Sequence, residues 1–200
     1  ALYKTAQFVD EAQKAYDAYE FHKVYKLIDN FCGVTLSRVY HDILKDRLYT
    51  YAAHSAERRS SQTAIDIISD ALIKVAAPIL TFTADEAYSF KNGAEYSEDS
   101  VHLQDWPEIG AEYRDEIAYE RVERVLSLRE KVNEELEKLR QNKTIGKSLE
   151  AEIEIMVGAT SPEAEALREL SGNLPEIFIV SAVRVVEGNF ETPAVRAAKV

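Results

Sequence analysis

From Phe21 to Leu44, apolar and aromatic residues recur every three or four positions: Phe21, Val24, Tyr25, Ile28, Phe31 and Cys32, then Leu36, Val39, Tyr40, Ile43 and Leu44. Only a helix of about 3.6 residues per turn gathers such a series onto one face; a strand would scatter it to both sides. The same spacing governs Phe8, Ala12, Ala15, Tyr16 and Tyr19 before it, and Ala64, Ile65, Ile68, Leu72, Val75 and Ile79 after it. The first half of the chain is therefore predicted to be packed helices. Gly33 interrupts the run after Cys32, and a second stripe resumes at Leu36. Pro78 should end or kink the helix that precedes it, since it cannot donate to the previous turn. Thr83-Ala84-Asp85-Glu86 then reads as a capping box opening a short helix through Phe90.

The character changes between Asn92 and Gly110, where Gly93, Ser97, Ser100 and Pro107 are interspersed with acids. This is the expected boundary between a helical unit, 1–106, and a second unit, 107–200. Beyond it, Val122, Val125, Arg129, Val132, Leu136 and Leu139 predict one long amphipathic helix. Arg129 sits inside its apolar stripe, either as an ion-pair anchor between the units or with its stem along the apolar face and its head in water. The period then becomes two. Leu149, Ala151, Ile153, Ile155 and Val157 alternate with Glu150, Glu152, Glu154 and Met156, a half-buried strand. Ser161-Pro162-Glu163 opens a short helix, and the β-branched run from Glu176 to Val186 predicts a second strand. The expected fold class is mainly α: a helical bundle followed by a small α+β unit.

Across 200 residues, only 7 Gly and 5 Pro argue against a loop-rich chain. The net charge is −11, which excludes a generic nucleic-acid coat but not a binder with its cations concentrated locally. Residues 1–100 hold 15 acids and 11 bases, and residues 101–200 hold 20 and 13, so the acidity lies mainly in the second half. A single cysteine, Cys32, excludes an internal disulfide or Cys-rich zinc site and fits a reducing cytoplasmic compartment. No apolar run approaches the roughly 20 residues of a membrane span. A chain that starts in mid-helix without Met reads as a piece of a longer polypeptide.

Catalytic patterns are not found. His22, His41, His54 and His102 have no metal-ligand spacing. Gly146-Lys147-Ser148 resembles the end of a phosphate-binding loop, but Gln141 stands where the earlier Gly belongs and a strand, not a helix, follows. What remains is Lys45-Asp46-Arg47-Leu48-Tyr49-Thr50-Tyr51, followed by Arg58-Arg59-Ser60-Ser61-Gln62. Arginine and lysine hold phosphates, and tyrosine and arginine planes stack on unpaired bases, so the mixture suits a folded RNA with exposed loop bases. A charged, polar connection is equally the default between any two soluble helices. An acidic face on the long helix (Glu134, Glu135, Glu137) leaves a third reading, a helical protein–protein adaptor presented to a basic partner.

The combination of Lys45 to Tyr51, Arg58 to Thr63, Ala77 to Glu86 and Ile145 to Ala151, in this order, resembles the anticodon-binding helical domain of bacterial-type isoleucyl-tRNA synthetases and the region just after it. The resemblance implies part of a class I enzyme that joins isoleucine to its tRNA using ATP. The valyl, leucyl and methionyl enzymes share the bundle and stand as alternatives. It implies that Lys45, Arg47, Tyr49, Arg58, Arg59 and Gln62 face the tRNA. Lys45, Arg58 and Arg59 would meet phosphates, and Arg47 and Tyr49 bases. It implies no catalytic residue, cofactor or metal within this chain; ATP with magnesium, and zinc, belong to the parent enzyme. The implied partners are tRNA and the rest of the synthetase polypeptide, in a monomer.

Overall fold

The computed structural model describes residues 1–93 and 100–200, and these fall into two compact units, Ala1–Asp115 and Glu116–Val200. The expected linker's Ser97 lies outside the described residues. The division falls later than the expected break after residue 106, for a packing reason. Ile109 is buried in the first unit's core, Trp106 meets Tyr16 edge-on at 5.7 Å, and Arg114 grips Asp10.

In the first unit, α1 (Leu2–Asp17) buries Phe8, Val9, Ala12 and Ala15. Next, α2 (Phe21–Asn30) runs into π-helical turns (Phe31–His41) and then α3 (Asp42–Tyr49) without a break in the helical backbone. The expected interruption at Gly33 is thus a change of pitch. Phe31 and Leu36, the buried residues of the π turns, stand five apart, a spacing that suits hydrogen bonds reaching five residues back. The rings of Phe8 and Phe31 stack at 4.3 Å. Phe21 and Tyr25, read as core-facing, are exposed; the wall that covers Val24 and Phe31 does not extend over them.

Helix α4 (Ala56–Ala76) spans the unit, burying Ile68, Ala71 and Val75, and stops just before Pro78. Helix α5 (Thr81–Asn92) begins earlier than the expected capping box. Thr83 does not cap it, and the Asp85 carboxylate instead accepts from the Ser100 hydroxyl (2.7 Å) and the Val101 N–H (2.9 Å). Those bonds hold the carboxyl below the usual carboxylate range.

In the second unit, the expected long helix is α6 (Glu116–Ser127) and α7 (Arg129–Gln141), separated at Leu128; Arg129, half-buried, opens α7. Val125, Val132 and Leu136 are buried as the stripe required. Strand β1 (Ala151–Gly158) is central, with Met156 buried rather than facing out. Helix α8 (Pro162–Glu169) is capped by Ser161, whose hydroxyl accepts from the Ala164 N–H at 3.1 Å. The run expected to be one strand from Glu176 divides: Leu174–Phe178 is a short helix, α9, and only β2 (Ala182–Gly188) is extended. Burial of Leu174, Ile177 and Phe178 selects the helix, and Pro175 fits its first turn. Strand β3 (Ala194–Lys199), unanticipated, completes a sheet in the order β2-β1-β3, parallel on one side and antiparallel on the other.

Candidate nucleic-acid interface

The cationic window occupies the last turns of α3, a short connection, and the first turns of α4. Its backbone is fastened at several points. The Thr50 N–H and hydroxyl both donate to the Asp46 carbonyl, at 2.9 and 2.7 Å, closing α3. The Ser55 N–H donates to the Ala52 carbonyl at 2.9 Å, and the Ser55 hydroxyl accepts from the Arg58 N–H at 3.2 Å, capping α4. The Arg58 guanidinium then reaches back across the connection and donates from Nη1 to the Tyr51 carbonyl at 2.9 Å.

The six anticipated residues do not behave alike. Lys45 is exposed, but its ammonium donates to Asp42 Oδ1 at 2.8 Å. That carboxylate lifts the Lys45 pKa above its ordinary value and offsets part of its outward field. Arg47 is half-buried on the side of Tyr40, where its charge opposes the upward push that burial gives the Tyr40 phenol. Tyr49 is 82% exposed, so its ring is not core packing. Arg58 is half-buried, its Nε covered and without a hydrogen-bonding partner among the described residues. Arg59 and Gln62 stand exposed on the outer side of α4, and among the described residues their side chains have no partner.

Two residues outside that set belong to the same surface. Tyr51 is 40% exposed and His54 is exposed, both on the connection itself. The signal for Tyr51 was its aromatic type beside Tyr49. Its bond to a side chain seven positions on depends on how the connection turns, which local pattern does not give.

A second group of cations lines a groove elsewhere in the first unit. Lys14, Lys23 and Lys26 line an open groove of about 420 Å³ between α1 and α2, together with Glu11 and Glu20. Cys32 is half-buried, its thiol pushed up by burial and by Asp29. Among the described residues no group of three His, Cys, Asp or Glu side chains is placed to hold a metal ion. No helix described is long and apolar enough to cross a membrane.

Residues 1–155, which include the whole window, match the family described as the anticodon-binding domain of tRNA ligase. The chain is 39% identical over 195 residues to the isoleucine–tRNA ligase of Natranaerobius thermophilus, covering 98% of this chain and 21% of that protein. Against the isoleucine–tRNA ligase of Symbiobacterium thermophilum identity is 41% over 194 residues, covering 96% and 21%. For that of Thermotoga neapolitana it is 40% over 191 residues, again covering 96% and 21%. The chain spans about a fifth of the length of the curated relatives it matches.

Proposed function

The chain belongs to the family of anticodon-binding domains of tRNA ligases, and from this membership we propose that the α3–α4 junction grips the anticodon arm of an isoleucine-accepting tRNA. Lys45, Arg47, Tyr49, Arg58, Arg59 and Gln62 form the surface. The observation that carries the proposal is the exposure of Tyr49, Arg59 and Gln62 at one junction inside the matched stretch. An aromatic ring, a cation and an amide left to solvent together are the parts needed to stack on a base, neutralise a phosphate and meet a base edge.

Mechanistically, Lys45 and Arg59 set register through the phosphate backbone, and Tyr49 offers its ring to an unstacked loop base. Arg47, beside Tyr40, is placed for a base edge or plane rather than a free phosphate. The identity to isoleucine–tRNA ligases supports isoleucine as the amino acid of the larger enzyme. In that enzyme ATP and magnesium drive the ligation and zinc serves another segment; no step involving them is assigned to this chain. It works in the cytoplasm, as part of a monomeric synthetase. Two of the three acids behind the adaptor reading are already paired within α7, Glu135 with Lys138 at 2.5 Å and Glu137 with Arg140 at 3.3 Å, which favours the tRNA reading over it.

Filter binding of this chain to an isoleucine anticodon arm, beside the same arm with its anticodon exchanged, tests the proposal. The expected outcome is tighter binding of the first. Equal binding of both removes the anticodon from the reading, and no binding of either removes the tRNA.

A further inference from the structure

We infer that Tyr51 is a second base-stacking residue of this surface and that Arg58 is the positioning residue that holds it, rather than a phosphate contact. The inference rests on the tRNA reading above and specifies how the surface meets the RNA.

The reasoning starts from the cost of Arg58. A cation in the first turn of a helix faces the positive end of the macrodipole, which is unfavourable. Helix α4 carries two there, Arg58 and Arg59, against the single acid Glu57. Arg59, exposed and without a side-chain partner among the described residues, is free to meet an anion. Arg58 is not oriented that way. Its Nε is buried and its Nη1 is committed to the Tyr51 carbonyl. A charge-assisted bond to a backbone carbonyl is stronger than a neutral one and fixes the peptide it meets.

That peptide carries an aromatic side chain into solvent. Tyr51 follows Tyr49 by two residues, and both rings are exposed, at 40% and 82%. With Thr50 bonded to α3 on one side and the Ala52–Ser55 turn on the other, the Tyr51 backbone is held before any ligand arrives. A ring on a fixed backbone has only its own two torsions left to order, so it binds a base at low entropic cost. Tyr49 and Tyr51, two residues apart in the sequence, each offer an exposed ring to an unpaired base of the kind that single-stranded loops present.

The test uses this chain and an anticodon-arm hairpin carrying 2-aminopurine at each loop position in turn, whose fluorescence falls when the base stacks. Tyr51→Ala should weaken binding about tenfold and abolish the quench at one loop position, while Tyr51→Phe keeps both. Arg58→Ala should lose that same quench yet leave the slope of log affinity against log salt unchanged. Arg58→Lys, which can still donate to the carbonyl, should restore part of the quench. Arg59→Ala should do the reverse, keeping the quench and flattening the slope by about 0.7–0.9. Circular dichroism establishes that each variant is folded, and an unfolded Arg58→Ala leaves the decision to Arg58→Lys and Tyr51→Ala. Unchanged affinity and quench in Tyr51→Ala, or a slope in Arg58→Ala flattened as in Arg59→Ala, overturns the inference alone. A wild-type chain that binds a loopless duplex as well as the hairpin overturns the tRNA reading, and this inference with it.

Discussion

Arg114 shows how one side chain decides where a unit ends. Its guanidinium meets both oxygens of Asp10, at 2.7 and 2.9 Å, and so ties the last residues before Glu116 to α1. The pair holds the Asp10 carboxyl below the usual carboxylate range and raises Arg114. The folded pKa of Asp10 is depressed, so its contribution is fully present above the unfolded value of about 3.9 and fades as pH falls through the folded value. Both side chains are partly exposed, which limits the coupling to about 0.5–1 kcal/mol at neutral pH. A double-mutant cycle of Asp10→Asn and Arg114→Ala by urea denaturation should return that coupling at pH 7 and almost none at pH 2; equal coupling at both pH values rules out the ion pair. This bond joins residues far apart in sequence, and no local pattern announces it, which is why Pro107 and Gly110 read as a boundary. The candidate site divides in the same way. Lys45, Arg59 and Tyr49 could be proposed from their residue types alone, whereas the attachment of Arg58 to Tyr51 arises only when the connection folds.

Helices were legible where burial and period agree, as along α4 and α7, and obscure where the backbone departs from α geometry. The π turns around Gly33 look in sequence like a stop, because glycine is a poor former of helix interiors. The helix ends add a related misdirection: α1, α7 and α9 each close through a left-handed residue, but the residues there are Tyr19, Lys143 and Ile179. At α7 the Lys143 N–H donates to the Arg140 carbonyl and the Thr144 N–H to the Leu139 carbonyl, both at 2.9 Å, a Schellman arrangement that glycine normally serves. Glycine therefore stands in mid-helix at Gly33 and is missing from the turn after α7. Exchanging the roles should stabilise the chain twice. An added Cβ at Gly33 meets nothing within 4 Å, so Gly33→Ala should gain about 0.5–1 kcal/mol by lowering unfolded-state entropy. Lys143→Gly, at an exposed position, should gain a similar amount by removing the left-handed strain, about 1 kcal/mol. Thermal or urea unfolding reads both, and a loss of stability in Gly33→Ala would mean that the wide turns need glycine there.

At the scale of the whole molecule the governing quantity is the contrast between a net charge of −11 and one cationic junction. The net negative charge opposes indiscriminate binding of a polyanion, so the proposed RNA contact is confined to the junction, and confinement has a numerical signature. With Arg58 turned inward to Tyr51 and Arg47 assigned to a base, the cations assigned to phosphates are Lys45 and Arg59, and Lys45 already shares its charge with Asp42. Each phosphate neutralised contributes about 0.7–0.9 to the slope of log affinity against log salt, so two give a slope between about −1.4 and −1.8. Raising monovalent salt from about 50 to 200 mM should then weaken anticodon-arm binding by roughly 7–12-fold. A broadly basic binder making 6–10 phosphate contacts loses about 10³–10⁵ over that interval. Fluorescence anisotropy across a salt series separates the cases. A slope steeper than about −5 would place phosphate contacts well outside the junction, drawing on cations such as Lys14, Lys23 and Lys26 of the α1–α2 groove, and the confined interface would be wrong. A slope near zero would leave the junction with no phosphate contact at all. A shallow, measurable slope together with discrimination between anticodons is the result that an acidic body with a single small cationic and aromatic surface requires, because phosphates then supply only the grip and the loop bases must supply the choice.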